Sequence, residues 1–205
     1  MKPFILNIGR QLGAGGRQVG RLLAEEFGLT YYDREILAMA AKESGYCEEV
    51  FRQKDERKFF LGQGLRLQNP FSQINAFYHD SLSDDELFRF QSEAIRKAAQ
   101  AGNCIFIGRA ADYVLRDMDC CFNIFLTADT PDRIRNLVER TGADEKNATN
   151  LLRKGDAQRS SFYNFYTGKT WGEASSYDLC LNTSRLGIEG SARLIAQYIR
   201  QRFAE

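Results

Sequence analysis

The chain has 205 residues, 43% of them hydrophobic, which suits one domain of ordinary size with a real core. A formal net charge of +1 argues against a nucleic-acid coat or a membrane-surface protein, both of which rest on a strong basic excess. Five cysteines without C-x-x-C spacing (Cys47, Cys104, Cys120, Cys121, Cys180) and a single histidine, His79, argue against a disulfide framework, a zinc site and a histidine-based triad.

The first element is the short apolar run Phe4–Ile8, read as a strand covered on both faces. A glycine-rich turn follows, then an amphipathic helix with Val19, Leu22, Leu23 and Phe27 on one side. Leu29–Tyr32 is a weaker strand. Asp33 to Ser83 contains no convincing strand and interrupts the rhythm as an insertion suited to covering a substrate. In "SDDELFRFQSEAIRKAAQAG", Ser83 and Glu86 spell a capping box and Gly102 a stop. The strand Cys104–Ile107 and the strand Phe122–Leu126 come next. Thr130 and Pro131 then open a helix with Ile134, Leu137 and Val138 inward. A polar stretch over 143–176 mixes basic and aromatic residues, and Leu179–Leu181 and the helix Ile188–Phe203 close the chain. Strands alternating with helices imply a parallel sheet with helices on both faces. The start "MKPFILNI" is too short for a signal peptide and no run approaches a membrane span, so the expected location is the cytoplasm, without membrane or nucleic-acid partners.

Between the first strand and helix lies "GRQLGAGGRQVG". A phosphate loop needs glycines where side chains would crowd the anion or where φ is positive, together with N–H groups at a helix start. Gly13, Ala14, Gly15 and Gly16 stand in that place. Against G-x-x-x-x-G-K-[ST] the match is poor: Arg10 takes the first glycine position, Gly16 the lysine position, and Gln18 stands where a hydroxyl is expected. Three readings fit these residues. One is an altered nucleotide-phosphate loop. Another is a glycine-rich packing corner. The third is a dinucleotide site, with Gly13 and Gly15 as its first two glycines and Asp33 as the ribose-binding acid.

A wider pattern narrows them. "GRQLGAGGRQVGRLLAEEFGLTYYDREIL", "FRFQSEAIRKAAQAGNCIFIGRAADYVL", "NIFLTADTPDRIRNLVERTG" and "NFYTGKTWGEASSYDLCLNTSRLGIEG" together resemble the cytidylate kinase-like family over nearly the whole chain. The resemblance implies a three-layer α/β P-loop kinase fold, with a parallel sheet of about five strands. In that layout the core is 1–32, 84–142 and 177–205, with a helical acceptor-covering insertion at about 33–83 and a lid at about 143–176. It also implies ATP as phosphate donor with Mg²⁺, and CMP or a related small acceptor.

Carried over by position, the resemblance puts Gly13, Ala14, Gly15 and Gly16 around the donor phosphates, with Arg10 flanking and Arg17 and Gln18 opening the helix; Arg17, one residue past the lysine position, is the expected catalytic substitute for that lysine. Gln18 can hold Mg²⁺ only through water. Asp33 and Arg34 border the acceptor pocket. Arg109 matches the arginine of a Gly-Arg-Asp turn; Ala110 replaces that aspartate, and Asp112 is the candidate substitute. Arg153, Lys154 and Arg159 fall in the lid, where arginines act on the transferred phosphate; the alternative is a solvated helical face paired with Asp156. Asn182 and Thr183, followed by Ser184, lie near the donor base. Arginines suit phosphates because their planar fork grips two oxygens at once. Two functions remain open at this point, a kinase with an altered loop or a nucleotide-binding sensor that has lost transfer, in either case a monomer or homodimer.

Overall fold

Five parallel strands, each too short to bury a core alone, pair into one sheet in the order β2-β3-β1-β4-β5. They are β1 (Ile5–Arg10), β2 (Thr30–Tyr32), β3 (Cys104–Ile107), β4 (Cys121–Thr127) and β5 (Leu179–Asn182). In the computed structural model the described residues are 2–33, 36, 39–40, 42 and 83–203. The chain forms two compact units, one of Met1–Asp33 with Ala98–Glu205, the other of Arg34–Lys97. All five expected strands are present; the insertion over 33–83, with Arg34, Cys47 and His79, lies almost wholly outside the described residues. Cys104, Cys120, Cys121 and Cys180 are free thiols; Cys104 and Cys121 are buried, as expected of apolar strand positions, whereas Cys120 is half-buried and Cys180 exposed.

Central β1 pairs with β3 on one side, Ile5 facing Cys104, and with β4 on the other, Ile5 facing Cys121. The chain order therefore reverses at β1, and a crevice opens beyond the C-terminal ends of the strands at such a point. One sheet face is apolar by alternation: Leu6 and Ile8, Ile105 and Ile107, Phe122, Ile124 and Leu126. Against it pack α1 (Gly16–Phe27), through Val19 and Leu23, and the terminal α6 (Gly187–Arg202), through Ala192, Ile195, Ala196 and Ile199. Gly20 sets how close α1 can come, since a Cβ there would sit 2.7 Å from the Ile107 side chain. On the other face Phe125 meets Trp171 edge-on and Tyr177 at an angle, with centroids 5.1 and 5.0 Å away. These layers make the three-layer α/β arrangement expected from the alternation.

The capping box is real. Ser83 N donates to Glu86 Oε2 at 2.7 Å, and Glu86 N to Ser83 Oγ at 3.1 Å, at the head of α2 (Asp84–Gln100). After β3 come the single turn α3 (Ala111–Val114), then α4 (Thr130–Thr141) with Pro131 in its first turn. α4 departs from expectation in what it buries: Leu137 as read, but Arg133 with it, whereas Ile134 and Val138 are half-buried. The polar stretch 143–176 is mostly one helix, α5 (Glu145–Thr167), opened by Asp144, whose side chain accepts from Asn147 N. Its buried residues, Ala148, Gly155, Tyr163 and Thr167, are small or polar, so the stripe carries little hydrophobic periodicity. Among the described residues no helix is long and apolar enough to cross a membrane.

Leu23 is fully buried between sheet and helix. Leu23→Ala is expected to cost about 2–5 kcal/mol, read as a lower denaturant midpoint with an unchanged m-value.

Candidate active site

The turn after β1 sits at the switch point, and its backbone is tied to the scaffold from three directions. Gln11 N makes the last sheet bond, to Leu126 O at 3.0 Å. Leu12 O accepts from Arg133 Nε at 2.8 Å, Gly13 O from Asn136 Nδ2 at 2.8 Å, and Ala14 O from Thr183 Oγ1 at 3.1 Å. Leu12 N donates to Asp156 Oδ1 at 2.7 Å. Gly13 and Gly15 have φ of 82° and 75°, which other residues adopt only with strain. Gly15 caps α1 without a side chain, so no capping side chain takes up the first-turn N–H groups, the arrangement a helix start needs to receive an anion.

The clamp behind the loop is itself charged. Arg133 and Asp156 are in direct contact through Nη2 and Oδ2, with side chains 5% and 19% exposed. One guanidinium thus spends Nε on Leu12 O and Nη2 on the carboxylate, whose other oxygen takes Leu12 N–H. No charge is left unpaired, which is what makes its burial tolerable.

Around the loop the arginines gather. Arg10 at the end of β1 is held at a pKa of about 9, first by desolvation and then by Arg159, Arg17 and Arg109, with Asp33 pulling the other way. Arg159 on α5 is held at about 10, again first by desolvation, with Asp156 at 3.7 Å opposing and Arg17, Arg140 and Arg133 adding to the depression. Its Nη1 is buried without a hydrogen-bond partner. Arg17 Nε pairs with Asp33 Oδ2 at 2.7 Å, and Arg140 on α4 is lowered by desolvation and by Arg17. Arg10 and Arg159 stay protonated at neutral pH. Their depression comes first from burial and then from the neighbouring arginines, the mark of several cations held close together.

Arg109 belongs to the same field and sits in a strained turn. Arg109 and Ala110 have φ of 60° and 52°, behind Gly108 at 75°. Two successive non-glycine residues in the left-handed region cost about 1–3 kcal/mol each and persist where the surroundings over-determine them.

The other sequence candidates divide. Thr183, with a second bond to Thr127 O at 3.1 Å, anchors the loop, and Asn182 Nδ2 donates to Asp129 Oδ1 at 2.8 Å while its Oδ1 accepts from Ser184 N at 2.9 Å. Gln18 is exposed on the first turn of α1, with Oε1 3.5 Å from where a Cβ on Gly15 would stand. Arg153 is exposed; it precedes Arg159 by six residues, roughly 240° round a helix, and the structure does not bring it into the cluster. Lys154 is half-buried. Asp112 also stands apart. Its Oδ2 accepts from Tyr163 Oη at 2.7 Å, and burial pushes its carboxyl above the usual range, opposed by that bond and by Lys169. Burial and Asp112 raise the Tyr163 phenol in turn, and Tyr177 beside it is raised to about 12. Arg34 lies outside the described residues. Reading from sequence missed Arg133, Asn136 and Arg140; only the i, i+3 spacing of Arg133 and Asn136 behind a helix start marks them.

A glycine turn at a sheet switch point, leading into a helix start without a capping side chain and ringed by arginines, defines a phosphate-binding α/β protein. Residues 5–185 match the cytidylate kinase-like family, and the chain belongs to it. It is 26% identical over 200 residues to the cytidylate kinase of Methanococcus vannielii, covering 96% of this chain and all of that one. The cytidylate kinase of Pyrococcus horikoshii is 27% identical over 189 residues, covering 91% and 83%. An uncharacterized protein of Eubacterium ventriosum superposes with a TM-score of 0.70 at 25% identity, covering 96% and 98%. Shikimate kinase of Bacteroides thetaiotaomicron gives 0.57 at 13%, covering 97% and 99%, a likeness of fold. The fold is that of the P-loop kinases, and the chain is a kinase-type phosphotransferase.

Asp156→Ala leaves Arg133 as a buried unpaired cation and frees Leu12 N–H; a loss of about 3–5 kcal/mol is expected in equilibrium unfolding. For Asp112 the sign runs the other way. The raised folded-state pKa means the native protein keeps that proton longer, so stability falls as pH rises from the unfolded value through the folded one. Asp112→Asn keeps an acceptor for Tyr163; its urea midpoint at pH 7 should equal or exceed that of the unaltered protein, the difference shrinking toward pH 4.

Proposed function

We propose that this chain is a nucleotide kinase that transfers the γ-phosphate of ATP to CMP or a related small, nucleotide-like acceptor. The carrying observation is the convergence of Arg10, Arg17, Arg109 and Arg159 on a loop whose carbonyls are tied back and whose helix start has no capping side chain. Phosphoryl transfer asks a protein mainly to align two phosphates and neutralise their charge, and these groups do both. The loop and α1 hold the donor's phosphates. Arg159, whose buried Nη1 has no hydrogen-bond partner and only a long contact with Asp156 at 3.7 Å, faces the phosphoryl group in transit, and Arg109, on its strained turn, takes the acceptor's phosphate. Asp33 orients Arg17 at the border of the acceptor side. Mg²⁺ accompanies the nucleotide, held by phosphate oxygens and water, with the Gln18 amide as its outer contact. Asn182 and Thr183, tied to Asp129 and to the loop, border the donor base.

A second reading, a nucleotide-binding sensor without transfer, is favoured by Gly16 and Gln18 standing where a lysine and a hydroxyl are expected. A coupled assay with ATP, Mg²⁺ and a panel of nucleoside monophosphates separates the two. Turnover with CMP or a close relative is the expected result; tight ATP binding without turnover on any acceptor selects the sensor, and absence of ATP binding removes both. Arg159→Ala is expected to lower kcat by about 10²–10³-fold with a much smaller change in ATP Kd. ATP at about 100 times its Kd should stabilise the fold by about 2.7 kcal/mol, seen as a raised Tm.

A further inference from the structure

Gly16 occupies the position of the loop's lysine, and the space above it is filled from elsewhere. A Cβ on Gly16 would lie 2.8 Å from Arg10 Cγ and 3.0 Å from Arg10 Cβ. The stem of Arg10 therefore lies across the first residue of α1, where a lysine's own stem would begin. Its guanidinium ends at the turn after β3: a Cβ on Gly108 would collide with Arg10 Nη1 and stand 3.0 Å from Cζ. Two glycines, one opening α1 and one just after β3, thus leave a slot, and the side chain from the end of β1 runs through it.

The neighbouring cation is committed differently. Arg17 is paired through Nε with Asp33, its side chain is 44% exposed, and it projects about 100° round the helix from position 16. Among the described residues Arg10 makes no such ion pair; Asp33 acts on it only at longer range.

We propose that Arg10 is the lysine surrogate of this loop, a catalytic residue whose guanidinium, threaded between Gly16 and Gly108, neutralises the β- and γ-phosphates of the donor. The cation has moved from the helix start to the strand end, and the glycine has moved the other way. The inference rests on the nucleotide-kinase reading above and adds the group that replaces the missing lysine.

Three variants test it: Arg10→Met, which keeps a stem and removes the charge; Gly16→Lys, which sets two cationic stems in one slot; and the exchange Arg10→Gly with Gly16→Lys. The readouts are kcat, the calorimetric Kd for ATP and for inorganic tripolyphosphate, and Tm. Arg10→Met should lower kcat by about 10²-fold or more and weaken tripolyphosphate at least about ten-fold, with Tm nearly unchanged. Gly16→Lys should be impaired as well, and the exchange should regain much of the loss of either single variant. Wild-type kcat and tripolyphosphate affinity in Arg10→Met overturn the proposal. Should that variant fail to fold, a folded exchange variant that binds tripolyphosphate far more weakly than the unaltered protein overturns it instead. If the unaltered protein binds ATP without turnover, the kinase reading falls and the tripolyphosphate measurements still decide Arg10's phosphate contact; if it binds no ATP, both fall together.

Discussion

The site depends on one buried ion pair. Arg133 and Asp156 come from two different helices, α4 and α5, and each also hydrogen-bonds the backbone of one residue, Leu12. A buried pair of this kind contributes little net stability by itself, because desolvation offsets most of the attraction. What it contributes is position. With N–H and C=O of Leu12 both fixed, the turn is held at its entry, and Asn136 and Thr183 hold the next two carbonyls. Flexible, glycine-rich backbone is thereby presented as a preorganised anion site, which avoids an ordering cost when the ligand arrives.

The same pair sorts the cations. Asp156 is engaged by Arg133 and Leu12, and its contact with Arg159 Nη1 is a looser one at 3.7 Å, which leaves that buried nitrogen without a hydrogen bond. Asp33 does the corresponding thing for Arg17, at 2.7 Å. Arg10, Arg17, Arg109, Arg140 and Arg159 therefore act on one another at close range, with Asp33 and Asp156 as the opposing carboxylates, and desolvation adds to the depression of Arg10, Arg140 and Arg159. The strained pair Arg109–Ala110 belongs to the same economy of folding, local cost held in place by a well-packed sheet.

Much of this architecture was legible in the chain. Short apolar runs marked all five strands, because a parallel sheet covered on both faces leaves no polar alternation to confuse them. Ser83 with Glu86 marked a helix start, and the glycines marked the loop. The clamp was not legible. Arg133 and Asp156 are charged residues at ordinary helical spacings, indistinguishable in sequence from solvated ones, and only the meeting of α4 with α5 buries them. α5 was hidden for a related reason, as its buried stripe runs through Ala148, Gly155 and Tyr163 rather than through large aliphatics. Asp112, read from its place beside Ala110 as a candidate on the acceptor side, accepts from Tyr163 on α5, a partner that no spacing in the chain points to.

The departures within the loop then read as one change rather than three. A cation beside the donor's phosphates needs a stem of several carbons and a path free of Cβ atoms, but it need not start from the helix. From the end of β1 the path to the same region crosses the first residue of α1 and the turn after β3. Gly16 and Gly108 stand at those two crossings. Once Arg10 takes that path, a side chain at position 16 is excluded by volume, so the missing lysine is a steric consequence of the arginine. Seen from the phosphates, charge is conserved and its origin has moved. A guanidinium also adds a planar fork that a lysine lacks, which suits contact with two phosphate oxygens at once. The poor match to the standard motif therefore does not amount to loss of the cation: the pattern is broken in sequence and kept in space.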